Sequence, residues 1–411
     1  MGIRMLVADA RGRVMDIPGW GMAGRSGRFF TEPHPEEMIP LPPGASLTLL
    51  PGCRPVGVDR LGKIRVYERY YAVAALLPQG YTRTLLPAYQ RVEGDKPLPL
   101  LGYTAVGWAK GRYWVAASKT DRPRKWNPLL YNTPDLAERV ARIRKELPHN
   151  RIIRQLARCS LDYGCLTAQN IFYRRWEGGI PVSPACNARC VGCISLQPAE
   201  CCPSPQERIG FSPTREEIVE VALPHLQQAE GAIVSFGQGC EGEPSLAAPL
   251  IAEAIKEIRT RTSQGTINMN TNAGYTEGIR LIAEAGIDSL RVSLNSAQPD
   301  WYQAYYRPPG YTLRDVRASL SLAARQGVFL SLNYLVFPGV SDQRAELEAL
   351  VELVKSTGVK LIQLRNLNID PDLYCQLTGV QEPGMGMVAF LKELRRQLPG
   401  VSLGNFSRPL R

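Results

Sequence analysis

The stretch that decides the reading of this chain is Pro184-Ala-Cys186-Asn-Ala-Arg-Cys190-Val-Gly-Cys193. Its C-x3-C-x2-C spacing offers three thiolates on one short loop, one fewer than a [4Fe–4S] cube has irons. A cube ligated three times keeps one iron open to a small molecule, so it can do chemistry as well as carry electrons. The spacing alone also suits a zinc site completed by Cys201 or Cys202, because short C-x2-C pairs are common zinc ligands.

The surroundings of that loop are regular. From residue 180 onward, β-branched apolar runs alternate with amphipathic stretches. Strands are expected at 180–183, 232–236, 266–270, 290–294, 329–337 and 360–364. Helices are expected over 214–228, 246–261, 277–285, 313–326, 343–356 and 386–398. Buried runs separated by helices of 10–15 residues call for a parallel sheet with right-handed crossovers. The cysteines follow directly on the first run, and loops at the carboxyl ends of strands are where such folds place their sites. The second run ends Gly237-Gln-Gly-Cys-Glu241-Gly-Glu-Pro244, a glycine turn in which a backbone can approach a ligand closely. The third ends Asn270-Thr-Asn272, and the fourth reads Arg291-Val-Ser293-Leu-Asn295. Alternation puts Arg291, Ser293 and Asn295 on one face of a strand, and Asn270 and Asn272 on one face of another.

Taken together, these segments resemble the radical S-adenosylmethionine (radical SAM) superfamily from about residue 180 to about 400. The resemblance implies an α/β fold, a partial (β/α)6 barrel, preceded here by a small β-rich N-terminal domain and a helical linker. It implies an oxidoreductase-type enzyme in which Cys186, Cys190 and Cys193 bind a [4Fe–4S] cluster whose open iron chelates S-adenosylmethionine. The family reductively cleaves that cofactor to a 5′-deoxyadenosyl radical, which abstracts hydrogen from substrate. Gly242, Glu243 and Pro244 match the family's Gly-Gly-Glu-Pro motif, with Glu241 in place of the first glycine. By the same resemblance Gly242, Glu243, Pro244, Asn270, Asn272, Arg291, Ser293 and Asn295 contact the cofactor, and Val336 supplies an apolar wall for adenine. A second departure lies before the third cysteine, where the family usually has an aromatic residue and this chain has Gly192. Something else must fill that space. Gln363, Arg365 and Asn368 on the sixth strand are expected to face substrate.

At 411 residues, two domains are the natural expectation. The division expected is 1–118, β-rich and punctuated by proline and glycine; 119–179, a basic linker with a helix over 133–147; and 180–411, the barrel. A hairpin is expected over 103–118, turning at Lys110-Gly111. The 44% hydrophobic and 21% charged composition is that of a globular protein, with no apolar run of membrane-spanning length. Ten cysteines and no signal-peptide core suggest metal ligands and buried thiols in a reducing compartment, the cytoplasm. Cys159, Cys165, Cys201 and Cys202 flank the motif and are candidates for an auxiliary iron–sulfur cluster, while Cys240 reads as packing.

The net charge of +11 concentrates between Lys119 and Arg158, with eleven Lys or Arg against four Asp or Glu. A solvated helix face accounts for such a stripe, though it also suits nucleic acid or an acidic peptide. With the N-terminal domain, it tilts the expected substrate towards a macromolecule, a protein, peptide or RNA, over a small metabolite. An electron donor such as ferredoxin or flavodoxin is implied, and no membrane. Two other readings stand beside this one: a non-catalytic iron–sulfur electron-transfer protein, and a zinc-stabilised RNA-binding protein.

Overall fold

The computed structural model describes residues 2–92, 96–122, 125–197 and 204–411. Seven strands form a parallel sheet in strict sequential order: Arg175–Gly179, Glu230–Phe236, Thr266–Thr271, Ser289–Leu294, Phe329–Val336, Leu361–Asn366 and Ser402–Gly404. Helices on the connections include Arg215–Gln228, Ala248–Arg261, Thr276–Glu284, Leu313–Arg325, Arg344–Thr357 and Met387–Gln397. The local signals explain them. Thr214 caps Arg215–Gln228 in a reciprocal box with Glu217, and Gly358, at φ 75°, ends Arg344–Thr357 in the left-handed region glycine favours. One apolar core lies between the sheet and these helices, with Val234, Ile267, Val292, Leu332 and Leu364 buried. This is the curled parallel half-barrel of the expected fold class.

Its first strand is not where the sequence suggests. Residues 180–183 are not a strand; the strand is Arg175–Gly179, on the far side of the boundary expected at 180. Arg-Trp-Glu-Gly-Gly has no β-branched residue, so local propensity argues against it. Tertiary contacts decide otherwise. A Cβ on Gly178 would lie 2.3 Å from Ile171, and one on Gly179 would lie 2.6 Å from Gln238, so only glycine fits this close approach. Glu177 is buried because it meets a barrel arginine. The seventh strand, Ser402–Gly404, and the helices Leu166–Tyr173, Pro299–Tyr306 and Pro371–Thr378 are also additions to the expected set.

The segment expected as a linker packs into the barrel core. Its helices Leu136–Glu146 and Arg151–Leu161 bury Leu136, Val140, Ile143, Ile152 and Leu156 there. Part of its basic stripe is spent in ion pairs, Arg151 with Glu217 and Arg158 with Glu207. Ahead of it, the N-terminal residues form an antiparallel sheet around Arg4–Ala8, Tyr71–Leu76, Val106–Ala109 and Arg112–Lys119. The 103–118 hairpin turns at Lys110 and Gly111 as expected, with φ 51° and 71°, the backbone of a type I′ turn. No helix among the described residues is long and apolar enough to cross a membrane.

The N-terminal sheet sits over the open ends of the parallel strands, and Arg83 fastens it there. This fully buried side chain donates Nη1 to the Tyr103 carbonyl and Nη2 to those of Val336 and Leu367. Its own amide donates to Asn366 Oδ1, whose Nδ2 donates to the Tyr81 carbonyl.

Candidate active site at the strand ends

The cysteine loop leaves the first parallel strand and is stitched down on two sides. Gly242 N–H donates to the Ser183 carbonyl (2.7 Å) and Glu243 N–H to that of Ala185 (2.8 Å). On the other side Arg189 and Val191 N–H donate to the carbonyls of Tyr306 and Tyr305, at the end of the helix Pro299–Tyr306. All three cysteines are half-buried and free. Burial raises the Cys186 thiol, and it raises that of Cys190 further, with Cys193 and Cys186 adding to the rise. The three sulfurs are thus within electrostatic reach of one another. Arg208 donates Nη2 to Cys193 Sγ (3.4 Å) and Nε to Ser195 Oγ (3.1 Å). Nothing in its sequence neighbourhood marked it.

The two departures from the family pattern have structural explanations. Glu241 is a buried clamp: Oε2 accepts from the amides of Val182 and Ser183 (2.7 and 2.9 Å), Oε1 from those of Gly237 and Gln238 (2.7 and 2.6 Å). One carboxylate therefore locks the start of the cysteine loop to the turn of the second strand. Burial pushes its carboxyl up to about 7 against the pull of those four amides. Gly242 beside it cannot carry a side chain, since a Cβ would stand 1.9 Å from the Ala185 carbonyl oxygen. At Gly192 the space is filled from elsewhere, because a Cβ would lie 2.6 Å from the Tyr305 hydroxyl.

The remaining expected contacts divide into two groups. Asn270, Arg291 and Ser293 line a cavity of about 680 Å³ at the strand ends, together with Cys190, Cys193, Tyr305 and Arg365. Gly242, Glu243, Pro244, Asn272, Asn295 and Val336 are not on its wall. The Glu243 carboxylate accepts from Ser245 N–H (3.0 Å), Thr271 Oγ1 and Asn272 N–H (2.8 Å), tying the second turn to the third. Pro244 opens the short 3₁₀ helix that Glu243 caps. Asn272 donates Nδ2 to Asn187 Oδ1 (2.7 Å), bracing the cysteine loop. Asn295 is buried, donating to the Trp301 carbonyl and Tyr374 Oη. Val336 is wholly buried in the core and Leu335 takes the cavity wall instead, because successive strand residues face opposite sides.

A polar network on the cavity wall crosses the barrel. Arg291 donates Nη2 to Glu177 Oε1 (3.1 Å) and Nη1 to Ser407 Oγ (2.6 Å), while Ser235 Oγ donates to the same Glu177 oxygen (2.8 Å). Leu76, Leu77, Gln79, Tyr81 and Leu101 of the N-terminal sheet complete the wall from above.

Among the flanking cysteines, Cys159 is buried and accepts from Gln155 Nε2 (3.3 Å), Cys165 lines the cavity, and Cys201 and Cys202 lie outside the described residues. The buried Cys240 and Cys159 thiols lie side by side, and their interaction raises the Cys240 thiol while lowering that of Cys159. No three His, Cys, Asp or Glu side chains among the described residues converge to hold a single metal ion. Zinc needs its ligands about 2.3 Å from one point, whereas a cube takes each thiolate on a different iron. The donor set of the cysteine loop, opening on a cavity, fits the cluster and a cofactor at its open corner.

Residues 180–354 match the sequence profile of the Radical SAM superfamily. Curated relatives include a GTP 3′,8-cyclase of Listeria welshimeri, 27% identical over 199 residues, covering 47% of this chain and 53% of the relative. A probable GTP 3′,8-cyclase of Methanosarcina acetivorans is 28% identical over 199 residues, 47% of this chain and 55% of the relative. The chain thus spans about half the length of the curated relatives it matches. Among solved structures, Streptococcus suis SuiB bound to precursor peptide SuiA is similar at TM-score 0.40 and 13% identity, over 65% of this chain and 62% of that one.

Proposed function

The chain belongs, through residues 180–354, to the radical SAM superfamily of enzymes, which use a [4Fe–4S] cluster and S-adenosylmethionine, and on that premise we propose that it abstracts hydrogen from a small-molecule substrate held in the cavity at the strand ends. Cys186, Cys190 and Cys193 would hold the cluster. When bound, cluster and cofactor together supply a 5′-deoxyadenosyl radical through one-electron cleavage of S-adenosylmethionine. The protein's own part is to orient and enclose. Glu241 and Gly242 fix the cysteine loop, Asn270, Arg291 and Ser293 present polar groups to the cavity, and Tyr305 occupies the space over Gly192.

The observation that carries this reading is the opening of Cys190 and Cys193 onto a cavity roofed by the N-terminal sheet. That roof also changes the substrate expected. The N-terminal domain suggested a macromolecule when only the sequence was in view; as a cover over the cavity it favours a small molecule instead. The relatives named for GTP make a purine nucleotide the first candidate to try.

The test is iron and sulfide content, then 5′-deoxyadenosine formation after dithionite, on anaerobically reconstituted protein with and without GTP. About four irons per chain and deoxyadenosine formed, both lost in the Cys186/Cys190/Cys193→Ala variant, are expected. Zinc without iron, or a cluster that never cleaves the cofactor, would overturn the proposal.

A further inference from the structure

Three charged side chains line the cavity: Glu177, Arg291 and Arg365. Glu177 is already committed. Its Oε1 takes both the Arg291 guanidinium and the Ser235 hydroxyl, and Arg291 foremost holds its carboxyl below the usual range against the effect of burial. Arg291 is committed in turn, to Glu177, Ser407 and Gln363.

Arg365 is not. Its guanidinium meets Gln363 Oε1 at 3.4 Å and forms no ion pair among the described residues. Asp121 and Glu177 attract it from a distance, but the Asp121 carboxylate already accepts from the amides of Arg122 and Asn405. Burial, and then Arg291, outweigh both carboxylates and pull Arg365 down to about 10. Beside it in register stands apolar Leu335, and one step down the strands Asn333 pairs with Gln363. The Asn333 carboxamide oxygen is buried in the same wall without a partner.

A half-buried guanidinium on a cavity wall without an ion-pair partner is poorly compensated until an anion arrives with the ligand. Arginine also suits that task, since its fork stays charged and matches carboxylate and phosphate oxygens. We propose that Arg365 holds an anionic group of the substrate, a phosphate or a carboxylate, with the Asn333 carboxamide fixing a neighbouring polar atom. This rests on the cavity being the radical SAM active site. The curled sheet brings the end of the sixth strand, which carries Arg365, back to the cysteine loop, where a Cβ on Gly192 would lie 3.3 Å from the Asn368 carbonyl oxygen.

The experiment is thermal unfolding and calorimetric titration of the anaerobically reconstituted full chain with inorganic pyrophosphate, succinate and S-adenosylmethionine, in wild type, Arg365→Met and Arg365→Lys. Pyrophosphate or succinate should raise the wild-type Tm, the responding anion telling phosphate from carboxylate. Binding should weaken on the order of ten- to hundredfold in Arg365→Met and by less in Arg365→Lys. Ligand-free Arg365→Met should melt no lower than wild type, because a half-buried charge without an ion-pair partner is gone. The proposal falls if neither anion shifts wild type, if Arg365→Met binds as wild type does, or if S-adenosylmethionine alone depends on Arg365. It also falls if ligand-free Arg365→Met melts lower, which would make the arginine structural. Failure of the radical SAM reading shows separately, in wild-type iron content and deoxyadenosine formation.

Discussion

Arg208 donates from Nη2 to the sulfur of Cys193 across 3.4 Å. With Cys193 as a cluster thiolate, as proposed, that bond stabilises the electron-rich reduced cluster, since hydrogen bonds to sulfur and nearby positive charge raise a cluster's potential. Arg208→Met should move the cluster midpoint to more negative values while iron content holds, measured by a dithionite titration followed by EPR. An unchanged midpoint would show that Arg208 only packs against the loop.

Glu241 serves four backbone amides at once, so its removal exposes all of them in a buried place. Glu241→Ala should cost roughly 3 kcal/mol or more and release the cysteine loop, read as a lower Tm and less iron retained after reconstitution. Glu241→Gln keeps one acceptor oxygen and should fall between the two. Equal stability of all three proteins would contradict the clamp.

Arg83 joins the N-terminal sheet to the barrel through the Val336 and Leu367 carbonyls, while its Nη1 donates to Tyr103 of its own sheet. Hydrogen bonds to a charged group contribute about 1.5–3 kcal/mol each, so Arg83→Met should loosen the roof as well as lower stability. Hydrogen exchange should rise around residues 81–85 and 366–368 before it rises in the barrel core. Exchange that rises everywhere together would mean that the two parts open as one.

His225 is buried, its Nε2 bonded to the Trp176 carbonyl oxygen (2.9 Å) and its Nδ1 without a partner. Burial holds its pKa down to about 4, and Arg174 adds to the effect. The unfolded chain takes up this proton near 6.5, whereas the folded chain resists until about 4. The stabilisation is therefore complete above 6.5 and is lost as pH falls towards 4, on the order of 3 kcal/mol in all. Urea unfolding at pH 5 and 7.5 should show a pH difference that shrinks in His225→Gln. A variant that kept the wild-type difference would assign it to other groups.

Much of the barrel was legible because it repeats. Buried runs at 232–236, 266–270 and 290–294 announce strands by composition, and Thr214 with Glu217 announces a helix start by capping chemistry. The first strand was hidden, since Arg175–Gly179 owes its place to a buried ion pair and to two glycines that let Ile171 and Gln238 approach. Strand alternation found Arg291 and Ser293 for the cavity, but Val336 was one residue out of phase. Asn272 and Asn295 turned out to brace the loops and core, which motif matching cannot separate from ligand contact. Arg208 and Tyr305 carried no local signal at all.

The sequence by itself determined the thiolate loop, the parallel architecture and the family resemblance, because a ligand spacing and a hydrophobic period are local properties of a chain. The tertiary structure alone decided what Glu241 does, what fills the space at Gly192, how the N-terminal sheet covers the site, and which cavity arginine has no ion pair among the described residues. Those depend on side chains that meet across long separations, such as Glu177 with Arg291 and Arg83 with Leu367, and pairing between distant residues leaves no period in a single sequence to read.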